Sequence, residues 1–211
     1  MHHARELALV ALTALGLAAC AAGASVTPPD DDPDPLRRVS TAVVGYPGQD
    51  AVVVEGRAGM IGDLLALGVL YGFTARLDLD LLDPVDIPAS LLGPPGLQNC
   101  DATVTPENLR TAEFVNITSS DASLLLQLRN RPPDAEIVGT VAYGFMLANV
   151  AGSITATCSV GIIELDVDIT LQPGWNLVGQ RITEYEQGVV ERAESFSLDA
   201  LPEAATWYVL P

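Results

Sequence analysis

The sequence predicts an all-β protein: an antiparallel β-sandwich or open barrel of about ten strands with one or two short helical turns. Three observations predict it. Apolar and polar residues alternate with period two along much of the chain after residue 41. Turn clusters built on Pro and Gly recur at near-regular intervals. Long helical stretches that would alternate with strands, as in a parallel α/β sheet, are missing.

Residues 41–46 and 51–56 read as the first two strands, divided by Pro47-Gly48. Residues 60–70 (MIGDLLALGVL) read as one or two helical turns, although Gly62 and Gly68 work against a helix. Next, Phe73, Ala75, Leu77, Leu79 and Leu81 alternate with Thr74, Arg76, Asp78, Asp80 and Leu82, as in a half-buried strand. Pro88 to Leu92 reads as another brief turn. Thr105-Pro106-Glu107-Asn108 resembles a helix start, with Thr as cap and Pro at the first position. Further strands are expected over 112–118, 123–129, 137–147, 153–160, 175–183, 193–199 and 205–210. The cleanest alternation sets Ile163, Leu165, Val167, Ile169 and Leu171 against Glu164, Asp166, Asp168 and Thr170. Leu124 to Leu126 is apolar on both sides, which predicts a central strand covered on two faces. Tyr143 and Phe145, with Gly139 and Gly144 nearby, suit a packed strand with a close approach or bulge. Trp175, after Pro173-Gly174, is expected to cap a core, with ligand stacking as the other reading.

The N-terminus has a different character. Met1 to Glu6 is a short polar start containing Arg5, and Leu7 to Leu17 (LALVALTALGL) carries no charge. These eleven residues would reach only about 16 Å as a helix, half a hydrocarbon core, as in a signal-peptide apolar region. The following Leu17-Ala18-Ala19-Cys20 resembles the lipobox of bacterial lipoproteins. That resemblance covers residues 1–20. It implies removal of residues 1–19 and acylation of Cys20 with a diacylglyceryl group and chains of the palmitate type. It also implies attachment to a bacterial membrane, the outer one in a Gram-negative host, with the domain in the periplasm or at the cell surface. Several acyl chains on one residue anchor stably where one would be marginal. The later run Leu171-Gln172-Pro173-Gly174-Trp175-Asn176-Leu177-Val178 resembles a turn of uncharacterised exported bacterial β-sandwich proteins, lipoproteins among them; it implies a fold, not an activity.

Residues 20–40 then form a lipidated start and an acidic, Pro-rich linker. Proline and the like charges of Asp30, Asp31, Asp32 and Asp34 extend it, and residues 41–211 are expected to form a single β-sandwich domain. With Cys20 acylated, Cys100 and Cys158 remain, an even pair in an exported chain, and a disulfide between them is expected.

Composition narrows the chemistry. The formal charge is −17, which repels phosphate backbones, so no nucleic-acid partner is expected. Every basic residue is Arg, and the two His are His2 and His3, inside the leader. A processed chain therefore lacks His and Lys. That removes the familiar nucleophile–base pairs, Schiff-base chemistry and nearly every zinc or copper site, so no catalytic residue and no cofactor is expected. Carboxylates are the plentiful titratable groups. Asp78 and Asp80 share one strand face, and Asp166 and Asp168 another, each pair about 7 Å apart. They are expected to be solvated outer faces that discourage edge pairing. Calcium binding and glycan hydrolysis are the sharper alternatives. Asn116-Ile117-Thr118 matches a glycosylation acceptor of little relevance to a bacterial lipoprotein. The functional expectation is a lipid-anchored envelope protein. Its non-enzymatic domain would bind another envelope protein or a glycan, or serve a structural role. A calcium-dependent adhesion module and a carboxylate-dependent glycan hydrolase are the alternatives.

Overall fold

The computed structural model describes residues 36–46, 48, 50–58, 63–79, 81, 87, 100–160 and 162–210. The expected leader, the expected lipidation residue Cys20, most of the acidic linker, Asp80 and the turn expected at Pro88 to Leu92 lie outside them. The described part belongs to one compact unit, Asp34–Pro211. It is all-β, with no helix among the described residues.

The strands are β1 (Arg38–Val44), β2 (Val52–Arg57), β3 (Leu64–Tyr71), β4 (Thr74–Asp78), β5 (Cys100–Thr105), β6 (Thr111–Phe114) and β7 (Asn116–Ser119). The remainder are β8 (Leu125–Arg129), β9 (Val141–Ala148), β10 (Gly152–Val160), β11 (Ile163–Leu171), β12 (Gly174–Glu186), β13 (Val189–Leu198) and β14 (Thr206–Val209). Seven of them close a barrel in the order β14-β1-β4-β3-β2-β7-β8, sealed by the β8–β14 pairing. A sheet continues from β8 through β9-β12-β13-β11-β10-β5. Most pairings are antiparallel, but β1–β14 and β11–β13 are parallel.

Two helical expectations are corrected. Leu64–Tyr71 is a strand, bonded to β2 on one side and β4 on the other. Pairing on both edges satisfies its backbone, and tertiary context overrides local preference. Gly68, which argued against a helix, is required by the barrel, because a Cβ there would sit 2.2 Å from the Arg76 carbonyl oxygen. Thr105 ends β5 and Pro106–Asn108 is a turn after it, not a helix start. The strand expected around Phe73 is also shorter than its alternation suggested. Ala75, Leu77 and Leu79 are buried, whereas Phe73 and Leu81, beyond the two ends of β4, are exposed.

The strand covered on two faces is β9, not the one at Leu124–Leu126. Leu126 and Leu128 point into the barrel, but Leu125 just before them is exposed. By contrast, β9 sends Tyr143, Phe145 and Leu147 into the first core and Met146 and Ala148 into the second. The first core fills the barrel and the space between it and β9 and β12. It includes Leu65, Leu70, Phe114, Trp175 and Trp207. The second lies on the opposite face of β9 and collects Ile154, Ala156, Val167, Ile169, Leu171 and Val178 with Leu109. Gly144 permits the close approach its strand context suggested: a Cβ there would lie 3.1 Å from the Phe114 carbonyl oxygen. Phe114 stacks on Phe145 at 5.3 Å between centroids and meets Trp175 edge-on at 5.9 Å. Trp175 is a core residue, and its indole N–H donates to the Leu79 carbonyl at 2.5 Å.

Cys100 and Cys158 are disulfide-bonded. They face each other in the register of β5 and β10, with Cα atoms 4.3 Å apart, the spacing of a non-hydrogen-bonded antiparallel pair. Cys158 is buried in the second core while most of β5 is exposed, so the bond ties a poorly buried edge strand to a well buried neighbour.

Replacing Phe145 with Ala is expected to cost about 3–5 kcal/mol by denaturant unfolding. Leu125→Ala, on the neighbouring strand β8 and solvent-facing, should stay within about 0.5 kcal/mol of the parent. Opening the disulfide by Cys100→Ala with Cys158→Ala should cost about 2–4 kcal/mol, the range for a closed loop of this size.

Candidate functional site

The carboxylates picked out in the sequence are not brought together. Asp78 lies on the outer surface of the barrel, on β4, while Asp166 and Asp168 are exposed on β11 in the continuing sheet. Asp166 and Asp168 stand side by side on one strand and point the same way. They offer no acid and base opposed across a scissile bond. Among the described residues no group of three or more His, Cys, Asp or Glu side chains is placed to hold a metal ion.

Strand pairing surrounds Asp166 and Asp168 with partners the sequence did not reveal. Register aligns Asp101, Thr157, Asp166, Glu194 and Arg181 in one row across β5, β10, β11, β13 and β12. The next row holds Thr103, Thr155, Asp168 and Phe196. Directly opposed residues share a face, so these side chains line one open polar groove of about 690 Å³. Arg181 closes its end, bonded to Glu194 at 3.0 Å and lying over the Phe196 ring at 4.8 Å. The Thr157 hydroxyl donates to Asp166 at 3.3 Å. Beyond the groove, Arg192 joins Glu164 and Glu184. This is a solvated face whose like charges are partly neutralised by two arginines, and exposed pairs of this kind add little stability.

A second groove was hidden by the helical reading of residues 60–70. It lies on the outside of the barrel across β2, β3, β4 and β1 and has a volume of about 760 Å³. One row is Val53, Val69, Arg76 and Ser40; the next is Leu67, Asp78 and Arg38. Tyr71 and Thr74 extend it toward the β3–β4 turn. The β2–β3 side is thus mainly hydrocarbon, with Glu55, opposite Leu67, paired to Arg57, and the β4–β1 side carries arginine, hydroxyl and the Asp78 carboxylate. Val53, Leu67, Val69 and Tyr71 are all exposed. A strand normally turns such side chains inward, so this exposed apolar cluster is unusual for a sheet surface.

Glu113 is the group whose titration reaches neutrality. On β6 it pairs with Met146 of β9, so its side chain points to the second-core face. Burial pushes its carboxyl up to about 7. It forms no ion pair among the described residues and lines neither groove. Alternation alone would have placed it outward in solvent; only the pairing of β6 with β9 reveals its setting.

No family model, curated protein or solved structure matches the chain.

The raised carboxyl at Glu113 makes stability pH-dependent. The folded state holds the proton more tightly than the unfolded state, so stability is greatest below the ordinary carboxyl range. It falls as pH rises toward about 7. Glu113→Gln removes this dependence. Denaturant unfolding is expected to show the variant gaining roughly 2–3 kcal/mol on the parent between pH 4 and pH 8.

Proposed function

We propose that this chain is a lipid-anchored protein of the bacterial cell envelope whose β domain works by binding rather than by catalysis. Leu17-Ala18-Ala19-Cys20 supports the anchor, since it follows an apolar run too short to span a bilayer and places a thiol at the expected end of the leader. The absence of His and Lys after Cys20 supports a non-enzymatic role, because the usual proton-transfer partners at neutral pH are not encoded.

The observation that carries the binding role is the outer groove of the barrel. Its volume falls in the range of ligand sites, and its walls combine an apolar strip with a few polar groups, the composition that gives affinity from burial and orientation from charge. Nothing in its lining pairs a nucleophile with a base. The polar groove on β5, β10, β11 and β13 keeps the opposite composition, which suits solubility of a surface-tethered domain.

Expression of the full chain in a bacterial host tests the anchor. The processed protein is expected in the membrane fraction with a mass that begins at Cys20 and carries acyl groups. Cys20→Ser should remove the acyl mass and block this processing. A soluble, unacylated wild-type product would refute the anchoring.

A further inference from the structure

We infer that the outer face of the barrel lies against a lipid surface bearing anionic headgroups, with the β3–β4 turn entering the interface. The inference rests on the binding role proposed for this groove and names its partner. Tyr71 and Phe73 flank Gly72 at the tip of the turn and are 66% and 81% exposed, and Val44 and Val69 are exposed nearby. Aromatic side chains with open apolar surface are the groups that settle at a membrane–water boundary. The apolar strip from Leu67 to Tyr71 runs about 13 Å along β3. It continues the same apolar surface to the tip.

Charge selects the partner. The chain is strongly acidic, yet Arg38 and Arg76 face this groove and make no ion pair among the described residues. Asp78 lines the same groove opposite Arg38, so two arginines face one carboxylate there, a local cationic excess that can meet phosphate. The carboxylates of the polar groove lie on the other sheet, and screening confines their repulsion to about 8 Å at physiological salt. The tether fits as well. Arg38 stands eighteen residues after Cys20 (38 − 20), and a Pro-rich segment of that length reaches up to about 55 Å. A domain held by its N-terminus can therefore lay this face on the bilayer that holds it.

The two tryptophans, Trp175 and Trp207, are buried, so a tryptophan introduced at the surface reports selectively. The test uses the processed full chain with Phe73→Trp, on vesicles of phosphatidylethanolamine and phosphatidylglycerol brominated in their acyl chains. Ile162→Trp serves as the control, at an exposed position beside β11 on the other sheet. Both positions are open enough that the melting temperature should not change. The expectation is about twofold or greater quenching for Phe73→Trp and little for Ile162→Trp. Combining Phe73→Trp with Arg38→Gln and Arg76→Gln should weaken the quenching on vesicles rich in phosphatidylglycerol. Equal quenching at both positions, or none at position 73, overturns the inference. So does a blue shift at position 73 that grows with protein density without bromine quenching, which would indicate a second copy. Quenching indifferent to the arginines and to the anionic lipid fraction overturns the headgroup assignment. Flotation and acyl mass separate this result from the anchor. A chain that floats with the reporter unquenched keeps the anchor and loses the docking. An unacylated chain quenched by added vesicles does the reverse.

Discussion

Burial of β9 on both faces is the constraint on which the rest of the molecule depends. Its side chains alternate between two cores, so one strand serves as the wall of both. A strand in that position tolerates no polar side chain on either face and needs a backbone partner on each edge. Its edges are taken by β12 on one side and by β6 and β8 on the other. The break at Val115 between β6 and β7 follows from this. The segment 111–119 must serve β9 with its first half and the barrel with its second.

Closure of the barrel answers a different problem. Seven strands sealed by β8 and β14 leave no free edge in that part of the fold, which a β protein must otherwise protect against pairing with its neighbours. The continuing sheet does end in an edge strand, β5, and there the protection is covalent. The disulfide holds to its neighbour a strand whose own side chains bury little. The turn before β8 is fixed by local chemistry. Asp121 accepts hydrogen bonds from the Ser119 hydroxyl at 2.5 Å and the Ser123 amide at 3.0 Å, which holds its carboxyl down at about 2.

The two grooves divide the surface by chemistry. On β5, β10, β11 and β13 the groove-lining positions are mostly Asp, Glu, Thr and Ser, with Phe196 covered by Arg181, a face that stays wet. On β2 and β3 they are mostly Val, Leu and Tyr, with Glu55 paired to Arg57, beside Arg38, Arg76 and Asp78 on β1 and β4. A chain with so large an acidic excess keeps its solubility on the first surface and can leave the second apolar. That asymmetry is the physical basis for assigning a binding role to the barrel and not to the carboxylates.

The all-β class and most of the strand positions were legible in the sequence, because period-two alternation is a local property that survives any arrangement of sheets. Ile163 to Leu171 and the buried Trp175 illustrate it. The pairing of Cys100 with Cys158 was expected from the sequence only because the lipobox resemblance set Cys20 apart. What the tertiary structure decided were the properties that depend on which strands become neighbours. Leu64 to Tyr71 became a strand because β2 and β4 flank it, and Leu125 faced solvent because the barrel has an outside. Glu113 gained a neutral-range carboxyl because β6 lies against β9, and Asp101 and Glu194 joined Asp166 through hydrogen-bond register. Alternation tells which residues share a face of one strand. Pairing alone determines what that face meets, and pairing is set by contacts far apart in the chain.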